Sequence, residues 1–425
     1  MAETISAEAV REMIDPGNRV FIQGGVGEPA TIVSALKTMP EGRASTAVNA
    51  VDYVTVSIPG INNSVVPGKL PEGSHLTTFF MHPGISSGET DPGVSFLPMH
   101  YRDIYRFLHQ GERFDIGIIQ VSAPNEAGLC SLGVSVDFTP AILERCDRLI
   151  AEVNHRMPAP PGSPTLPVST FDFLVEADYP IPEKKDSIPG KTELVIASNI
   201  AALIDDDSCI QIGIGKLPGA ILRQLSNHRR LGLHTGLVSN EVRDLVDTGV
   251  VTGESKTIDR RTHVVGMAWG NYAFYNWLGR QENVSFKPVN YTHDINVLSS
   301  LDQFVSINSA IEVDLYGQAN AETVNGRQVS ASGGLVDFVR GARASKGGKS
   351  IIALPASALR GQTSRIVPAL PGKITTLCRT DIDHVVTEYG TASLFSKSTE
   401  ARARALIDIA APDFRDQLWQ EWERK

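Results

Sequence analysis

Short apolar runs alternate along this chain with segments of amphipathic helical character. One such run leads to Gln211 and predicts a buried strand, and the residues that follow Lys216 predict a helix. The apolar segments 149–153 and 351–355 predict further strands. Strands that alternate with helices in this way form a mostly parallel sheet covered by helices, so the pattern predicts an α/β protein.

A glycine-rich loop follows the predicted strand, at residues 211–220, and a related loop occurs earlier, at residues 23–29. Paired glycines let a backbone approach a ligand closely, and the N–H groups of the next helix turn then face an anionic group. The pattern therefore predicts a site for an anionic ligand. A tight strand-to-helix turn that binds nothing is the alternative.

The two halves of the chain resemble each other in two places. Segment 14–27 matches 204–215, and segment 131–138 matches 333–338. The matches occur in the same order at offsets of about 190 and 200 residues, which predicts an internal duplication. We therefore expect two tandem, similar, open domains with mostly parallel sheets. Since ligands bind at the carboxyl ends of parallel strands, the two glycine loops are expected to face one shared cleft; two independent domains with unrelated sites are the alternative.

A proline-rich segment, 157–190, divides the chain nearly in half. Prolines stiffen a connection and prevent regular structure, so this segment is expected to be an inter-domain linker. A chain of 425 residues is too long for one core and fits two domains. We expect an N-terminal domain over 1–190, which includes the linker, and a C-terminal domain over 191–425.

Composition and charge exclude several classes of protein. A composition that is 42% hydrophobic and 20% charged is that of an ordinary soluble protein. The net charge of −9, without a local cluster of Lys and Arg, argues against nucleic acid as a partner. No run of about 18 apolar residues occurs, so no membrane span is expected. The charged side chains within the first 20 residues predict no signal peptide.

The cysteines are far apart in the sequence: Cys130, Cys146, Cys209 and Cys378. They form no CxxC pair and no Cys/His spacing of the zinc type, so no metal site is expected. A disulfide framework is not expected at this density either. Such thiols fit a reducing compartment, and we expect a cytoplasmic protein.

A set of motifs extends over most of the chain: 119–122, 151–154, 213–218, 231–235, 244–250, 308–318, 333–334, 336–338, 345–355 and 386–390. Each motif alone is unspecific. As a set they resemble the acetyl-CoA hydrolase and 4-hydroxybutyrate CoA-transferase family, which belongs to the class I CoA-transferases.

This resemblance implies the class I CoA-transferase fold, with acyl-CoA bound between two similar α/β domains. It implies that one loop lies against the coenzyme, together with two residues nearby: Gly213, Ile214, Gly215, Lys216 and Leu217, with Ile311 and Gly334. The implied substrates are a coenzyme A thioester and a small carboxylate, with no metal and no permanently bound cofactor. Family members commonly pair, so a homodimer or higher homo-oligomer is expected.

The resemblance also implies covalent catalysis by a glutamate. In the family this glutamate attacks the acyl-CoA thioester, and CoA reopens the resulting mixed anhydride as a glutamyl thioester. The residue at that position here is Gly236, two places after His234, and glycine has no side chain that could react. The usual glycine further on is replaced by Glu241, and Leu335 and Ala331 also depart from the family pattern.

Two carboxylates are candidates for the missing role. Glu241 is expected in the first turn of a helix that Ser239 caps, where the helix N-terminus favours an ionised carboxylate. It is either a substitute nucleophile or general base, or a routine stabilising residue. Glu28 lies on the equivalent loop of the first half. It is either a base that activates water, or a residue that shapes the entry to a helix.

Three further residues have alternative roles. His234 begins the expected active loop, and it either donates to a substrate carboxylate or is a buried structural histidine. Lys346 and Lys349 flank two glycines before a predicted strand, and either could contact the coenzyme phosphates or lie on the surface.

Three functions follow from these alternatives. The first is a CoA-transferase that moves CoA between an acyl-CoA and a carboxylate. The second is an acyl-CoA hydrolase or another water-dependent cleavage of a CoA-linked substrate, which the missing glutamate favours. The third is a catalytically silent protein that binds CoA esters.

Overall fold

The computed structural model of the protein describes residues 2–37, 51–62, 64–66, 69–71, 73–82, 84–85, 93–185, 187–370 and 372–424. Its helices are α1 (Ala7–Glu12), α2 (Ala30–Leu36), α3 (Tyr101–Gln110), α4 (Thr139–Ile142), α5 (Lys191–Ala201), α6 (Lys216–Gln224), α7 (Glu241–Asp247), α8 (Tyr272–Leu278), α9 (Val289–Thr292), α10 (Ile295–Ser299), α11 (Leu335–Ala344), α12 (Thr399–Asp408) and α13 (Pro412–Glu423). Its strands are β1 (Glu3–Thr4), β2 (Arg19–Ile22), β3 (Asp52–Thr55), β4 (His75–Thr78), β5 (Val94–Phe96), β6 (Phe114–Ser122), β7 (Leu129–Ser131), β8 (Cys146–Asn154), β9 (Thr165–Pro167), β10 (Phe173–Ala177), β11 (Cys209–Ile212), β12 (Gly232–Val238), β13 (His263–Ala268), β14 (Val284–Phe286), β15 (Phe304–Ser309), β16 (Glu312–Asp314), β17 (Ala319–Asn320), β18 (Thr323–Val324), β19 (Arg327–Gln328), β20 (Lys349–Ala353), β21 (Ser357–Ala358), β22 (Thr363–Ser364), β23 (Ile366–Val367), β24 (His384–Thr387) and β25 (Gly390–Ser393).

The chain divides into two compact units, and each contains more than one chain segment. The first unit comprises Met1–Lys184, Gly266–Asn290 and Gln328–Ala331, and the second comprises Lys185–Val265, Tyr291–Arg327 and Ser332–Lys425. Backbone hydrogen bonds tie the excursion 266–290 to the first unit. The Ala268 N–H donates to the Val134 carbonyl over 2.8 Å, and the Phe286 N–H donates to the Gly162 carbonyl over 2.9 Å. The predicted division at residue 190 did not anticipate this excursion.

A parallel sheet forms the core of the first unit, with the strand order β1-β10-β8-β6-β2-β3-β4-β5. Every neighbouring pair in it is parallel. Side chains of α2, among them Ile32 and Leu36, pack with Val20 and Ile22 of β2 in one apolar cluster. Because all the strands run the same way, their carboxyl ends lie along one edge of the sheet. The loop that follows β2 lies on this edge.

The second unit repeats this arrangement. Its sheet includes, in this order, β13-β12-β11-β15-β20-β24-β25, and the pairs β12–β11, β11–β15, β15–β20 and β20–β24 are parallel. The strand β25 turns back and pairs antiparallel with β24. The order β24-β20-β15-β11-β12-β13 corresponds, strand for strand, to β10-β8-β6-β2-β3-β4 in the first unit. The prediction of two similar α/β domains with mostly parallel sheets is confirmed.

The expectation that 157–190 is a linker without regular structure is wrong over its central part. Strand β10 lies within it and pairs in parallel with β8, with Leu174 beside Ala151. Phe171 and Val175 are buried. The prolines lie outside β10 and so remove none of its backbone donors. The apolar residues between the prolines indicate this strand better than the prolines indicate a linker. Burial of a strand in the sheet stabilises it by more than the nearby prolines disfavour regular structure.

Candidate active-site loops

The glycine loop of the second unit occupies the carboxyl edge of its sheet. Strand β11 ends at Ile212, and α6 begins at Lys216 after Gly215, whose φ of +123° is one that only glycine adopts easily. A Cβ atom built on Gly213 would meet nothing within 4 Å. The loop is therefore open on that side, and the first N–H groups of α6 are available to an anionic group there.

Gly236 is the neighbour of this loop on the next strand. The hydroxyl of Thr235 in β12 donates to the carbonyl of Ile212 over 3.0 Å. The residues that follow these two, Gly236 and Gly213, therefore lie side by side at the same edge. Gly236 is a residue of β12, whereas the sequence predicted a loop there.

An imidazole occupies the space beside Gly236. A Cβ atom built on Gly236 would lie 2.7 Å from Cε1 of His293, and one built on Gly334 would lie 2.3 Å from Nε2 of the same ring. The ring also packs on Phe338, with 4.3 Å between ring centroids, and its Nδ1 is hydrogen-bonded to the Thr292 hydroxyl over 2.8 Å. His293 thus occupies the position in which side chains at 236 or 334 would begin. No local pattern in the sequence indicated this role for His293.

Glu241 is the first residue of α7, two residues after Ser239. The Ser239 hydroxyl donates to Oε2 of Glu241 over 2.7 Å. A Cβ atom built on Gly219 would lie 2.9 Å from Oε1, so the carboxylate lies against the backbone of α6. The prediction that Ser239 caps this helix is wrong: the N-cap residue is Asn240, and the Ser239 hydroxyl bonds the glutamate side chain instead of a backbone N–H group.

His234 is fully buried within β12. Its Nε2–H donates to the Thr292 carbonyl over 3.1 Å, and its ring stacks on Tyr291. Burial lowers the pKa of His234 to about 3 and that of His293 to about 3. Both rings are therefore neutral at physiological pH. This placement matches the structural alternative for His234, since a fully buried ring does not reach a substrate without rearrangement.

These two histidines predict a loss of stability in mild acid. Their folded-state pKa values lie below the ordinary value of 6.5, so the unfolded chain binds protons first as the pH falls. The stability they support is complete above about pH 6.5 and decreases from there towards about pH 3. We expect a loss of about 2 kcal/mol for each histidine between pH 7 and pH 5.

Urea unfolding at several pH values measures this loss. Replacement of His234 and His293 by glutamine should flatten the decline between pH 7 and pH 5. Replacement of His109, which is exposed on α3, is the matched control and should leave the slope unchanged. An unchanged slope in the double variant would contradict the assignment.

Two other residues predicted to contact the coenzyme, Ile311 and Lys346, lie at opposite edges of the sheet. Ile311 lies just past the carboxyl end of β15, where Ile307 pairs with Ile212 of β11. Lys346 precedes β20, which pairs with the start of β15, and its carbonyl accepts from the Gln303 N–H over 2.8 Å. Lys346 therefore lies at the amino edge, roughly one strand length, or about 15 Å, from the glycine loop. The sequence predicted that Lys346 contacts the coenzyme phosphates; its position before a parallel strand places it at the edge opposite to the glycine loop.

The glycine loop of the first unit is held by Asn62, which the sequence did not single out. The Asn62 Oδ1 accepts from the N–H groups of Gly25 and Ile58 over 2.8 and 2.9 Å. Its Nδ2 donates to the Gly25 carbonyl over 2.9 Å and to Oε2 of Glu28 over 3.1 Å. A Cβ atom on Gly24 would lie 2.0 Å from a backbone oxygen of Val56, so the loop passes too close for any other residue.

Glu28 is almost completely buried at the end of this loop. Burial raises the pKa of its carboxyl group, and hydrogen bonds from Ser64 and Asn62 oppose that rise only in part. The positive charges of Lys37 and Lys69 oppose it further. Glu28 is thus a desolvated carboxyl group, fixed in direction, with a proton affinity above that of an exposed glutamate.

A buried network of hydrogen bonds connects the Glu28 backbone to Gln120, Tyr179 and Glu152. The amide of Gln120 donates to the Glu28 carbonyl over 2.8 Å and to the Tyr179 hydroxyl over 2.6 Å. The Tyr179 hydroxyl in turn donates to Glu152. The other carboxyl oxygen of Glu152 accepts from the Ile32 N–H over 2.8 Å, at the start of α2. Burial raises the pKa of Glu152, and the nearby charge of Glu28 adds to the rise.

Within the described ranges, no group of three or more His, Cys, Asp or Glu side chains is placed to hold a metal ion. None of the helices described above has the length and apolarity that crossing a bilayer requires.

Comparison with known proteins gives consistent results over the whole chain. Residues 2–184 match the acetyl-CoA hydrolase/transferase N-terminal domain, and residues 270–422 match the corresponding C-terminal domain. The 4-hydroxybutyrate coenzyme A transferase of Clostridium kluyveri is 36% identical over 99% of this chain and 97% of its own length. The crystal structure of RipA from Yersinia pestis superposes with a TM-score of 0.91 at 32% identity, and it covers 99% of this chain and 97% of that one.

A second solved structure agrees. The 4-hydroxybutyrate CoA-transferase abfT-2 from Porphyromonas gingivalis superposes with a TM-score of 0.80 at 33% identity, over 99% of this chain and 97% of that one. The matches extend through both units and include both glycine loops. The chain belongs to the acetyl-CoA hydrolase/transferase family.

Proposed function

We propose that this protein is an acyl-CoA enzyme that transfers CoA between an acyl-CoA thioester and a carboxylate. The observation that carries the proposal is the similarity of this chain to an enzyme named as a 4-hydroxybutyrate coenzyme A transferase. The similarity extends over 99% of this chain and 97% of that enzyme. The open glycine loop after β11 supports it, because helix N–H groups at a sheet edge suit the phosphates of a coenzyme.

We assign the coenzyme to the second unit's carboxyl edge. The contacts proposed are Gly213, Ile214, Gly215, Lys216, Leu217, Ile311 and Gly334. The shared edge of β11, β12 and β15 supports this set, since the residues that follow these strands lie close together. Lys346 is left out because it precedes its strand.

We assign the reacting carboxylate to Glu28. Its burial and its hydrogen bonds to Asn62 and Ser64 give it the fixed direction and raised proton affinity of a reactive group. Glu241 is engaged by Ser239 against α6 and is the second choice. Gly236 provides no carboxylate, and His293 occupies the adjacent space.

The transfer then proceeds through two covalent intermediates, a mixed anhydride and a glutamyl thioester. A carboxylate oxygen of Glu28 attacks the thioester carbonyl, the carbon–sulfur bond breaks, and CoA leaves as a thiolate. The thiolate attacks the glutamyl carbonyl of the mixed anhydride, and the acyl group leaves as a free carboxylate. An incoming carboxylate takes CoA by the same two steps in reverse.

Hydrolysis is the second candidate, and one observation favours it. The space beside Gly236 is filled by His293, which has no carboxylate to form an anhydride. Glu28 would then act as a general base that removes a proton from water as the water attacks the thioester. CoA leaves as the thiol, and the acyl group leaves as an acid.

A thiol-release assay separates these functions. With acyl-CoA and acetate, we expect acetyl-CoA to form without net release of free thiol. Thiol release that does not depend on acetate would establish the hydrolase instead. Tight binding of acyl-CoA with neither product would reduce the protein to a CoA-ester binding protein and overturn the proposal.

A trapping experiment tests the assigned carboxylate. Borohydride added after acyl-CoA should reduce the glutamyl thioester and inactivate the enzyme, and peptide mass analysis should place the change on Glu28. A modification found on Glu241 would contradict the assignment, and full activity after borohydride would argue for direct hydrolysis.

The remaining properties are proposed on narrower support. We propose a homo-oligomer because the family resemblance implies one, and sedimentation velocity measures it. We propose a reducing cytosolic location because the cysteines at 130, 146, 209 and 378 are all free thiols. We propose that the enzyme works without a resident cofactor, since the transfer requires only the thioester, the carboxylate and a side-chain carboxyl group.

A further inference from the structure

The first turn of α2, which follows Glu28 and Pro29 directly, is held by a buried carboxylate. Glu152 of β8 is completely inaccessible to solvent. Its carboxyl group accepts from the N–H groups of Thr31 and Ile32, the second over 2.8 Å. The N–H groups that open a helix find no partner within it and favour a negative charge beside them. Glu152 therefore supplies an anion, from within the protein, to the helix that follows Glu28.

The hydrogen bonds around Tyr179 keep this carboxyl group ionised. The Tyr179 oxygen accepts from the Ala30 N–H over 2.9 Å and from the Gln120 amide over 2.6 Å. Since both of its acceptor positions are used, the phenol can only donate to Glu152. Every partner of Glu152 among the described residues is thus a donor, and a protonated carboxyl group would leave its own hydrogen without an acceptor. Burial raises the pKa of Glu152, and these hydrogen bonds oppose the rise.

The second unit builds the same strand, loop and helix without such a carboxylate. Its strand β20 corresponds to β8, and the residues at its carboxyl end, 351–354, are all apolar. The N-cap residue of α6 is Gly215, which has no side chain. The fold therefore does not require an acidic residue at the position of Glu152, so Glu152 has a role that is particular to the first unit.

The same network fixes the backbone of Glu28. The Gln120 amide donates to the Glu28 carbonyl over 2.8 Å as well as to the Tyr179 oxygen. The side-chain carbonyl of Gln120 in turn accepts from the Asn154 amide over 3.2 Å. Buried groups that are all paired hold one another in place. Removal of the Glu152 charge would therefore release first Tyr179, then Gln120 and the peptide group of Glu28.

Glu152 also acts on Glu28 through its charge. Besides burial, the charge of Glu28 raises the pKa of Glu152. An interaction between two carboxylates is mutual, so an ionised Glu152 makes Glu28 harder to ionise. The other titratable groups that face Glu28 within the described residues are Tyr179, Lys37 and Lys69. The two lysines oppose the effect of Glu152, and the Tyr179 phenol stays uncharged because burial raises its pKa.

We propose that Glu152 is a positioning residue for Glu28: it holds the loop and the helix on either side of Glu28, and its charge sets the pH range in which Glu28 reacts. The inference rests on the proposed function, because it takes Glu28 as the reacting carboxylate. It also follows that the glycine loop of the first unit offers no phosphate site, since the N–H groups of its helix are already used.

Glu152→Gln removes the charge and keeps the shape of the side chain. We expect kcat for acyl-CoA to fall by about tenfold, with KM for acyl-CoA within about twofold of the wild-type value. Since Glu28 reacts as the carboxylate, the rate rises with pH as Glu28 loses its proton. Without the neighbouring charge Glu28 ionises more readily, so the midpoint of that rise should move to lower pH by about 0.5–1 pH unit.

Two further variants separate charge from connection. Tyr179→Phe keeps the charge of Glu152 but removes the hydroxyl group that connects it to the loop; it should lower kcat by about three- to fivefold and leave the midpoint in place. Glu176→Gln, an exposed position on the neighbouring strand β10, is the matched control and should change neither. An unchanged midpoint in Glu152→Gln would overturn the inference. If that variant does not fold, an unchanged kcat in Tyr179→Phe decides against it.

A measurement that needs no turnover separates this inference from the proposed function. Carbon-13 NMR of protein labelled at the glutamate carboxyl groups follows the titration of Glu28, whose signal is the one absent from Glu28→Gln. The Glu28 midpoint should lie at lower pH in Glu152→Gln, and identical midpoints would contradict the inference. If the midpoint moves while the wild-type protein turns over no acyl-CoA, the proposed function fails and the coupling of the two carboxylates stands.

Discussion

Replacement of Glu28 by glutamine is expected to lower the kcat of the acyl-CoA reaction by about 10²- to 10⁴-fold. Glutamine retains an oxygen that accepts from Asn62, so the loop should keep its shape. It has neither a nucleophilic carboxylate nor a basic one, so both covalent transfer and base-assisted hydrolysis should fail. Steady-state kinetics with and without acetate measure the loss, and binding of CoA by calorimetry should stay within a few-fold of the wild-type value.

Two matched variants control this result. Glu241→Gln removes the other candidate carboxylate and is expected to cost far less activity. Glu126→Gln alters an exposed carboxylate and should cost none. If Glu241→Gln abolishes activity and Glu28→Gln retains it, the assignment is reversed.

The second large effect is expected at Gly236. In Gly236→Ala, the new methyl group would lie 2.7 Å from Cε1 of His293, and that ring is held by Phe338 and the Thr292 hydroxyl. We expect a destabilisation of about 1–3 kcal/mol, the usual cost of overpacking a buried site. Urea unfolding measures it.

A double-mutant cycle attributes this cost to the imidazole. In a His293→Ala background the same Gly236→Ala change should cost at least about 1 kcal/mol less, because the space is then free. Gly213→Ala is the matched control: its Cβ atom meets nothing within 4 Å, and we expect a change of less than about 0.5 kcal/mol. An equal cost of Gly236→Ala with and without His293 would contradict the packing described here.

Much of the fold was predictable from local patterns. An apolar run that ends in paired glycines and continues as a helix specifies a strand–loop–helix unit by backbone physics alone. Its recurrence at 14–27 and 204–215 was sufficient to predict two similar halves, and the matching strand orders around β2 and β11 confirm it.

The site was less predictable, because a sequence shows which residues are adjacent along the chain and not which distant residues come into contact. Glu28 and the loop from Gly213 were visible as motifs. The side chains that decide what these motifs can do come from elsewhere: Asn62 orients Glu28, and His293 lies against Gly236. Neither has a local signature, since asparagine and histidine occur in many roles.

The sequence by itself determined the α/β class, the duplication, the two glycine loops and the absence of a carboxylate at position 236. Each depends on residue type and on spacing within a short window. Only the tertiary structure decided that an imidazole fills the space beside Gly236 and that Lys346 lies at the edge of the sheet opposite to the glycine loop. It also decided that part of the proline-rich segment forms a strand of the sheet. These outcomes depend on which distant segments pack together, and packing is set by burial of the whole sheet, which no short stretch of sequence specifies.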